Sequence, residues 1–168
     1  PRLNAAGRLD HPSLSLDLLT TSSLDMAEAL AQQLERKNAE RQSLTERGVS
    51  EAQRQLEAVL ASGGGMPSII IVGSAQWIPG ILGLIAGKLA EEYYRPAVAL
   101  SLGEEISAAS ARSIPEFDIV AALKEVRELL LRFLVSPLGR DLVEEMRPLG
   151  DLASVVGSLG LVREMAAL

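Results

Sequence analysis

Two short apolar runs bracket a single helical pattern, and this arrangement constrains the fold more than any other feature of the chain. Ile69-Ile70-Ile71-Val72 has strand length and is apolar throughout, and Ala97-Val98-Ala99-Leu100 is a second such run. Between them, Ile81, Leu82, Ile85, Ala86 and Leu89 fall on one face of a helix that Arg95-Pro96 brings to a stop. Strand, helix and strand at this spacing form a βαβ unit, which predicts parallel strands joined by a right-handed crossover. Apolar runs without alternation further predict strands buried on both faces. Residues 106–111 supply a third strand. Pro115 and Asp118 then open a helix whose apolar positions, Ile119, Ala122, Leu123, Val126, Leu129, Leu130 and Phe133, recur at a 3.6-residue period. The fold class is α/β, a small mixed sheet with a βαβ unit and flanking helices.

A long connecting helix precedes this unit. Residues 1–22 read as polar and irregular, and Ser22-Ser23-Leu24-Asp25 offers N-cap candidates. Ala27, Leu30, Ala31 and Leu34 then make one apolar face, beyond which the pattern turns polar through Arg41. A helix this wet connects domains or packs along a narrow stripe. Gly48 interrupts it, and Ser50-Glu51-Ala52-Gln53 reads as a capping box that restarts it through Leu60. Ser62-Gly63-Gly64-Gly65 is a flexible break. The expected divisions are therefore 1–22, 23–62, 66–133 and a tail of changed character, 134–168. No Met precedes Pro1, so the chain reads as part of something longer. Its longest nearly apolar stretch, Trp77 to Ala90, holds Pro79, glycines 80, 83 and 87, and Lys88. It falls short of the roughly 20 apolar residues that span a bilayer, so no membrane partner is expected.

Reactive side chains are few. There is one histidine, His11, and no cysteine, which removes thiolate nucleophiles and cysteine-based zinc sites and fits a reducing compartment. Aspartates stand singly at 10, 17, 25, 118, 141 and 151, whereas a two-metal phosphodiesterase needs several ligands converging on its ions. No catalytic residue and no metal ligand is assigned. With 16 basic against 22 acidic residues the net charge is −6, so a polyanion would be gripped locally rather than by bulk charge.

Three segments could supply such a grip. Pro1-Arg2-Leu3-Asn4-Ala5-Ala6-Gly7-Arg8 combines two arginines, an asparagine and small residues, which suits a phosphate-binding loop, although on its own it reads first as a structural turn with surface arginines. Trp77 to Leu89 carries glycines at a spacing that lets a helix lie tightly on a sheet, with Trp77 as core filler or base-stacking platform. Ser110-Ala111-Arg112-Ser113-Ile114-Pro115 ends a strand in an arginine flanked by hydroxyls just before a helix. Guanidinium, hydroxyls and helix dipole on one anion make a phosphate hook; pairing of Arg112 with Glu116 or Asp118 is the alternative.

Taken in order, these segments resemble the RecJ family of single-stranded-DNA-specific exonucleases in the DHH superfamily. Pro1 to Leu9 is similar to the family's Pro-Arg-(Ile/Leu)-Asn-Ala-x-Gly-Arg motif at the end of the catalytic DHH domain. Leu34, Asn38 and Arg41 match its connecting helix. Trp77, Gly80, Gly83, Ala86, Leu89, Tyr94, Arg95 and Pro96 match the opening of the DHH-associated domain. Ser110-Ala111-Arg112-Ser113 with Phe117-Asp118 matches that domain's nucleic-acid-binding motif.

The resemblance implies a cytoplasmic 5′-to-3′ exonuclease in which manganese (or magnesium) in the DHH domain activates water while the associated domain holds the strand. Ser110, Arg112 and Ser113 would then bind single-stranded DNA phosphates, with Arg2, Asn4 and Arg8 near the interdomain cleft. The metal-binding motifs of the family lie upstream and are not in this sequence, so the cofactor and the partner DHH domain belong outside it, and the chain alone is expected to be inactive. Glu116 departs from the glycine the family usually carries there. After Phe133 the family shows Gly-Gly-His and an Ala-Ala-Gly segment, whereas this chain reads Ser136-Pro137-Leu138-Gly139-Arg140. Codons TCA CCC CTT GGC CGC for that string, read one base later, give His-Pro-Leu-Ala-Ala, so residues 134–168 read as a frameshifted or divergent tail. The competing functional classes are a stand-alone nucleic-acid-binding module and an oligonucleotide or cyclic-dinucleotide phosphodiesterase of the same superfamily.

Overall fold

The computed structural model describes residues 2–63, 65–103 and 106–135. Five helices and three strands follow in the order α1 (Arg2–Leu9), α2 (Ser13–Thr20), α3 (Leu24–Ala61), β1 (Ile70–Ser74), α4 (Pro79–Tyr93), β2 (Ala97–Ser101), β3 (Ala108–Arg112) and α5 (Ile119–Val135). The sheet order is β1-β2-β3, with β1 and β2 parallel and β3 antiparallel to β2. Ile70 stands opposite Ala97, and Ala97 opposite Arg112. The βαβ unit and the mixed sheet are as the apolar pattern predicts. Residues 136–168, the greater part of the expected tail, lie outside the described residues.

Three local expectations fail. Residues 1–22 are not irregular but carry α1 and α2. Ala5 and Ala6 of α1 are fully buried, and Leu30 and Leu34 of α3 are buried too, so tertiary burial rather than propensity holds this short helix. Gly48 does not break α3, which runs unbroken for 38 residues, and no capping box forms at Ser50. A Cβ at residue 48 would come within 2.5 Å of Ile85 Cδ1 and 3.7 Å of Trp77 Nε1, so the glycine gives α4 room against the middle of α3. The helix is capped at Ser23, one of the N-cap candidates in the sequence, whose hydroxyl accepts from the Met26 N–H.

The third failure concerns burial. One face of the sheet buries Ile70, Val72, Ala97 and Ala99 in a core with Ala52 and Leu56 of α3 and Trp77, Ile81, Leu82, Ile85 and Leu89. The other face is open: Ile71 is 67% exposed, and Val98 and Leu100 are only half-buried. α5 likewise starts on the predicted period, yet Leu123, Val126 and Leu129 are exposed, and over residues 119–129 only Ile119 is buried. Burial on both faces requires two covering layers, and the described residues provide one. Trp77 is 4% exposed and donates its indole N–H to Glu51 at 2.9 Å, so it fills the core and is closed to nucleobases.

α3 is also joined to the sheet edge. The Gln55 side-chain amide donates to the Gly73 carbonyl at 2.9 Å and accepts the Gly73 N–H at 3.2 Å, occupying the backbone groups of β1 on its outer side. Gln53 bonds both carboxylate oxygens of Glu92 and ties α3 to α4.

Candidate nucleic-acid interface

The glycines of α4 bring the sequence motifs together. Alternation along β3 places Ser110 and Arg112 on the same face, toward α4. A Cβ at Gly83 would lie 3.0 Å from Arg112 Nη2 and 3.1 Å from Ser110 Oγ, and one at Gly87 would lie 4.0 Å from Arg112 Cγ. The arginine side chain therefore lies along a groove that two missing methyl groups create. One helical turn earlier, Gly80 receives the end of α1: its Cβ position is 1.7 Å from the Arg8 carbonyl oxygen, and Arg8 Nη1 donates to the Gly80 carbonyl at 3.2 Å. Residues three apart on a helix have Cβ positions roughly 5–6 Å apart, so the Arg8 backbone and the Arg112 guanidinium approach within about 10 Å.

Other expected residues sit differently. Asn4 and Arg8 share a face of α1 at i and i+4, and Asn4 is exposed. Arg2 does not face them; it forms an exposed ion pair with Glu35 of α3. The Ser113 hydroxyl donates to the Phe117 carbonyl, closing the turn before α5. The N-terminus of α5 is capped by Asp118, whose Oδ1 accepts the N–H groups of Val120 and Ala121 at 3.0 and 2.9 Å. A carboxylate already occupies that helix end, so the helix dipole adds nothing to the hook.

Arg112 does not pair with Glu116 or Asp118. Its Nη1 donates to its neighbour's carbonyl, Ala111, at 3.0 Å. Glu116 accepts instead from the Tyr94 hydroxyl at 2.7 Å, and this bond pushes the Tyr94 phenol above its ordinary value of 10, because losing the proton would break it. A cavity of about 290 Å³ lies alongside, lined by Gly87, Ala90, Glu91, Tyr94, Arg112 and Pro115 among others. Tyr94 was visible in the sequence only as part of a motif; the one signal of a special role is a bulky residue at a helix end where glycine is common.

His11 is exposed and lines a second cavity, of about 350 Å³, among α1, α2 and α3, with Asp10, Arg36, Lys37 and Glu40. Lys37 bridges Asp10 at 3.5 Å and Glu40 at 3.8 Å. Among the described residues no group of three or more His, Asp or Glu side chains could hold a metal ion. No described helix is long and apolar enough to cross a membrane.

The chain is 35% identical to the single-stranded-DNA-specific exonuclease RecJ of Bacillus subtilis over 92% of its length, and 32% identical to that of Thermus thermophilus over 79%. This is a RecJ-like chain. It spans 19% and 18% of those two RecJ proteins, respectively. The crystal structure of Thermus thermophilus RecJ in complex with Mg²⁺ superposes with a TM-score of 0.60 at 30% identity, covering 78% of this chain and 20% of that one. A manganese-bound RecJ structure gives 0.57 at 31% identity, covering 74% and 29%. No family model matches the chain. The metals in those structures are theirs; the side chains described here do not offer a site for one.

Proposed function

We propose that this RecJ-like segment holds and positions single-stranded DNA while phosphodiester hydrolysis, with its manganese or magnesium, is performed by a DHH domain of the same protein. Residues 1–22 correspond to the end of that catalytic domain, 23–62 to the connecting helix and 66–133 to the nucleic-acid-binding domain. The observation that carries the reading is the Arg112 guanidinium lying with Ser110 Oγ over Gly83, its charge unpaired by any described carboxylate. A guanidinium fork beside a free hydroxyl is suited to one phosphate. Arg8 and Asn4 continue the polar track onto α1. Ser113 contributes its backbone, since its hydroxyl is engaged, and Arg2, paired with Glu35, stands off the track.

Arg112→Ala tests this in the 168-residue chain by fluorescence anisotropy with a labelled oligothymidylate across a salt series. Affinity should fall for every base sequence alike, and the salt slope should shrink by about 0.7, one single-strand phosphate contact. Unchanged affinity and slope would refute the hook. Manganese-dependent release of nucleotides by the chain alone, lost on mutating His11, would refute the division of labour. For residues 134–168 the frameshifted and divergent alternatives make different demands on the gene. The Bacillus subtilis match takes in 92% of the chain and so extends past Phe133, which supports a divergent tail. Sequencing the codons from Phe133 to Arg140 separates the two.

A further inference from the structure

The geometry points to Tyr94 as a nucleobase platform, which stacks on the base of the nucleotide whose phosphate Arg112 holds. Tyr94 closes α4 in the left-handed region, with φ 49° and ψ 48°, and it is the one non-glycine residue with positive φ among those described. Glycine adopts that conformation without strain, whereas a bulky residue is strained by its Cβ. The strain gains the protein no packing, because the side chain is 57% exposed. What the position supplies is an aromatic residue on the wall of the cavity that Arg112, Ile114 and Pro115 also line. The ring is fixed at its far end, where the hydroxyl donates to Glu116 at 2.7 Å.

The charges around the cavity agree with an anionic, planar ligand. Glu116 is engaged by Tyr94 and Glu91 by Lys88 at 3.7 Å, and among the described residues the Arg112 guanidinium has no ionic partner. A volume of about 290 Å³ is on the scale of one nucleotide. Stacking on an aromatic face tolerates every base, as a strand-tracking surface requires. This inference rests on the phosphate reading of Arg112, so its test separates the two.

Anisotropy would be measured at low salt on the 168-residue chain with an oligothymidylate and an abasic strand of equal length, for the parent, Tyr94→Gly, Tyr94→Phe and Arg112→Ala. Tyr94→Gly relieves the backbone, so the variant folds. It should bind the thymidylate strand at least about 5-fold more weakly, the lower end for a lost base stack, and bind the abasic strand as the parent does. Tyr94→Phe keeps the ring and should restore thymidylate binding, while Arg112→Ala should weaken both strands. Equal loss on both strands with Tyr94→Gly, or no loss on thymidylate, overturns the platform and leaves the phosphate hook standing. An Arg112→Ala variant that binds like the parent, or a parent that binds neither strand, overturns the hook and the platform with it.

Discussion

Replacing Gly80 by alanine should loosen the joint between α1 and α4, and the size of the effect follows from one distance. The added Cβ would sit 1.7 Å from the Arg8 carbonyl oxygen, and ordinary contact begins at 3.4 Å, so the gap must double. The opposing atom is backbone in a helix, not the free end of a side chain, so α1 has to move as a body. Forcing an extra methyl into such a contact costs about 1–3 kcal/mol. Displacing α1 also lengthens the half-buried Arg8–Gly80 hydrogen bond, worth ~1 kcal/mol. Alanine recovers at most ~1 kcal/mol of helix propensity over glycine. The net is a loss of ~1–3 kcal/mol, which lowers a urea midpoint by roughly 1 M at a typical slope of ~2 kcal/mol per M. Gly87→Ala is the control, because its Cβ would meet only Arg112 Cγ, at 4.0 Å. There the propensity gain stands alone, and the midpoint should hold or rise. The reasoning fails if Gly80→Ala unfolds at or above the parent midpoint, or if the two alanines behave alike.

Gly83→Ala should separate binding from stability: its Cβ would displace the Arg112 guanidinium from 3.0 Å, so strand affinity should drop while the urea midpoint changes by less than ~1 kcal/mol equivalent. Ultraviolet titration should show both tyrosines ionising above 10, Tyr93 through burial and Glu92, Tyr94 through its bond to Glu116. The Tyr94 bond stabilises the protonated phenol, so its contribution is complete below pH 10 and is lost as pH rises through the elevated value. Glu116→Ala should lower one of the two midpoints and leave the other in place; no movement of either would contradict the assignment. Asp118→Ala removes the acceptor for two N–H groups at the start of α5 and should cost that helix about 1 kcal/mol, seen as lost helical circular dichroism ahead of the main unfolding transition.

The βαβ unit is written in local features of the chain. A run such as Ile69 to Val72, a 3.6-residue pattern from Ile81 to Leu89 and a Pro96 stop are local signals, and local sterics with apolar periodicity are sufficient to read them. The same local logic misread α3 at Gly48, because a glycine's helix penalty is small and the contact that rewards it, Ile85, comes from a residue far along the chain. It missed α1 for the same reason: Ala5 and Ala6 carry little hydrophobic signal until α3 buries them.

The candidate site was legible as residue types and not as an arrangement. Ser110 and Arg112 could be singled out from Arg-Ser chemistry, but their position over Gly83 depends on the β3 pleat meeting α4. Glu116 and Asp118 were both plausible partners for Arg112 by spacing; only the fold gives one to Tyr94 and the other to the α5 N-terminus. Which glycine receives which neighbour, and which charge stays unpaired, are properties of surfaces brought together from distant parts of the chain. Periodicity fixes what each element is, and only packing decides what each side chain meets.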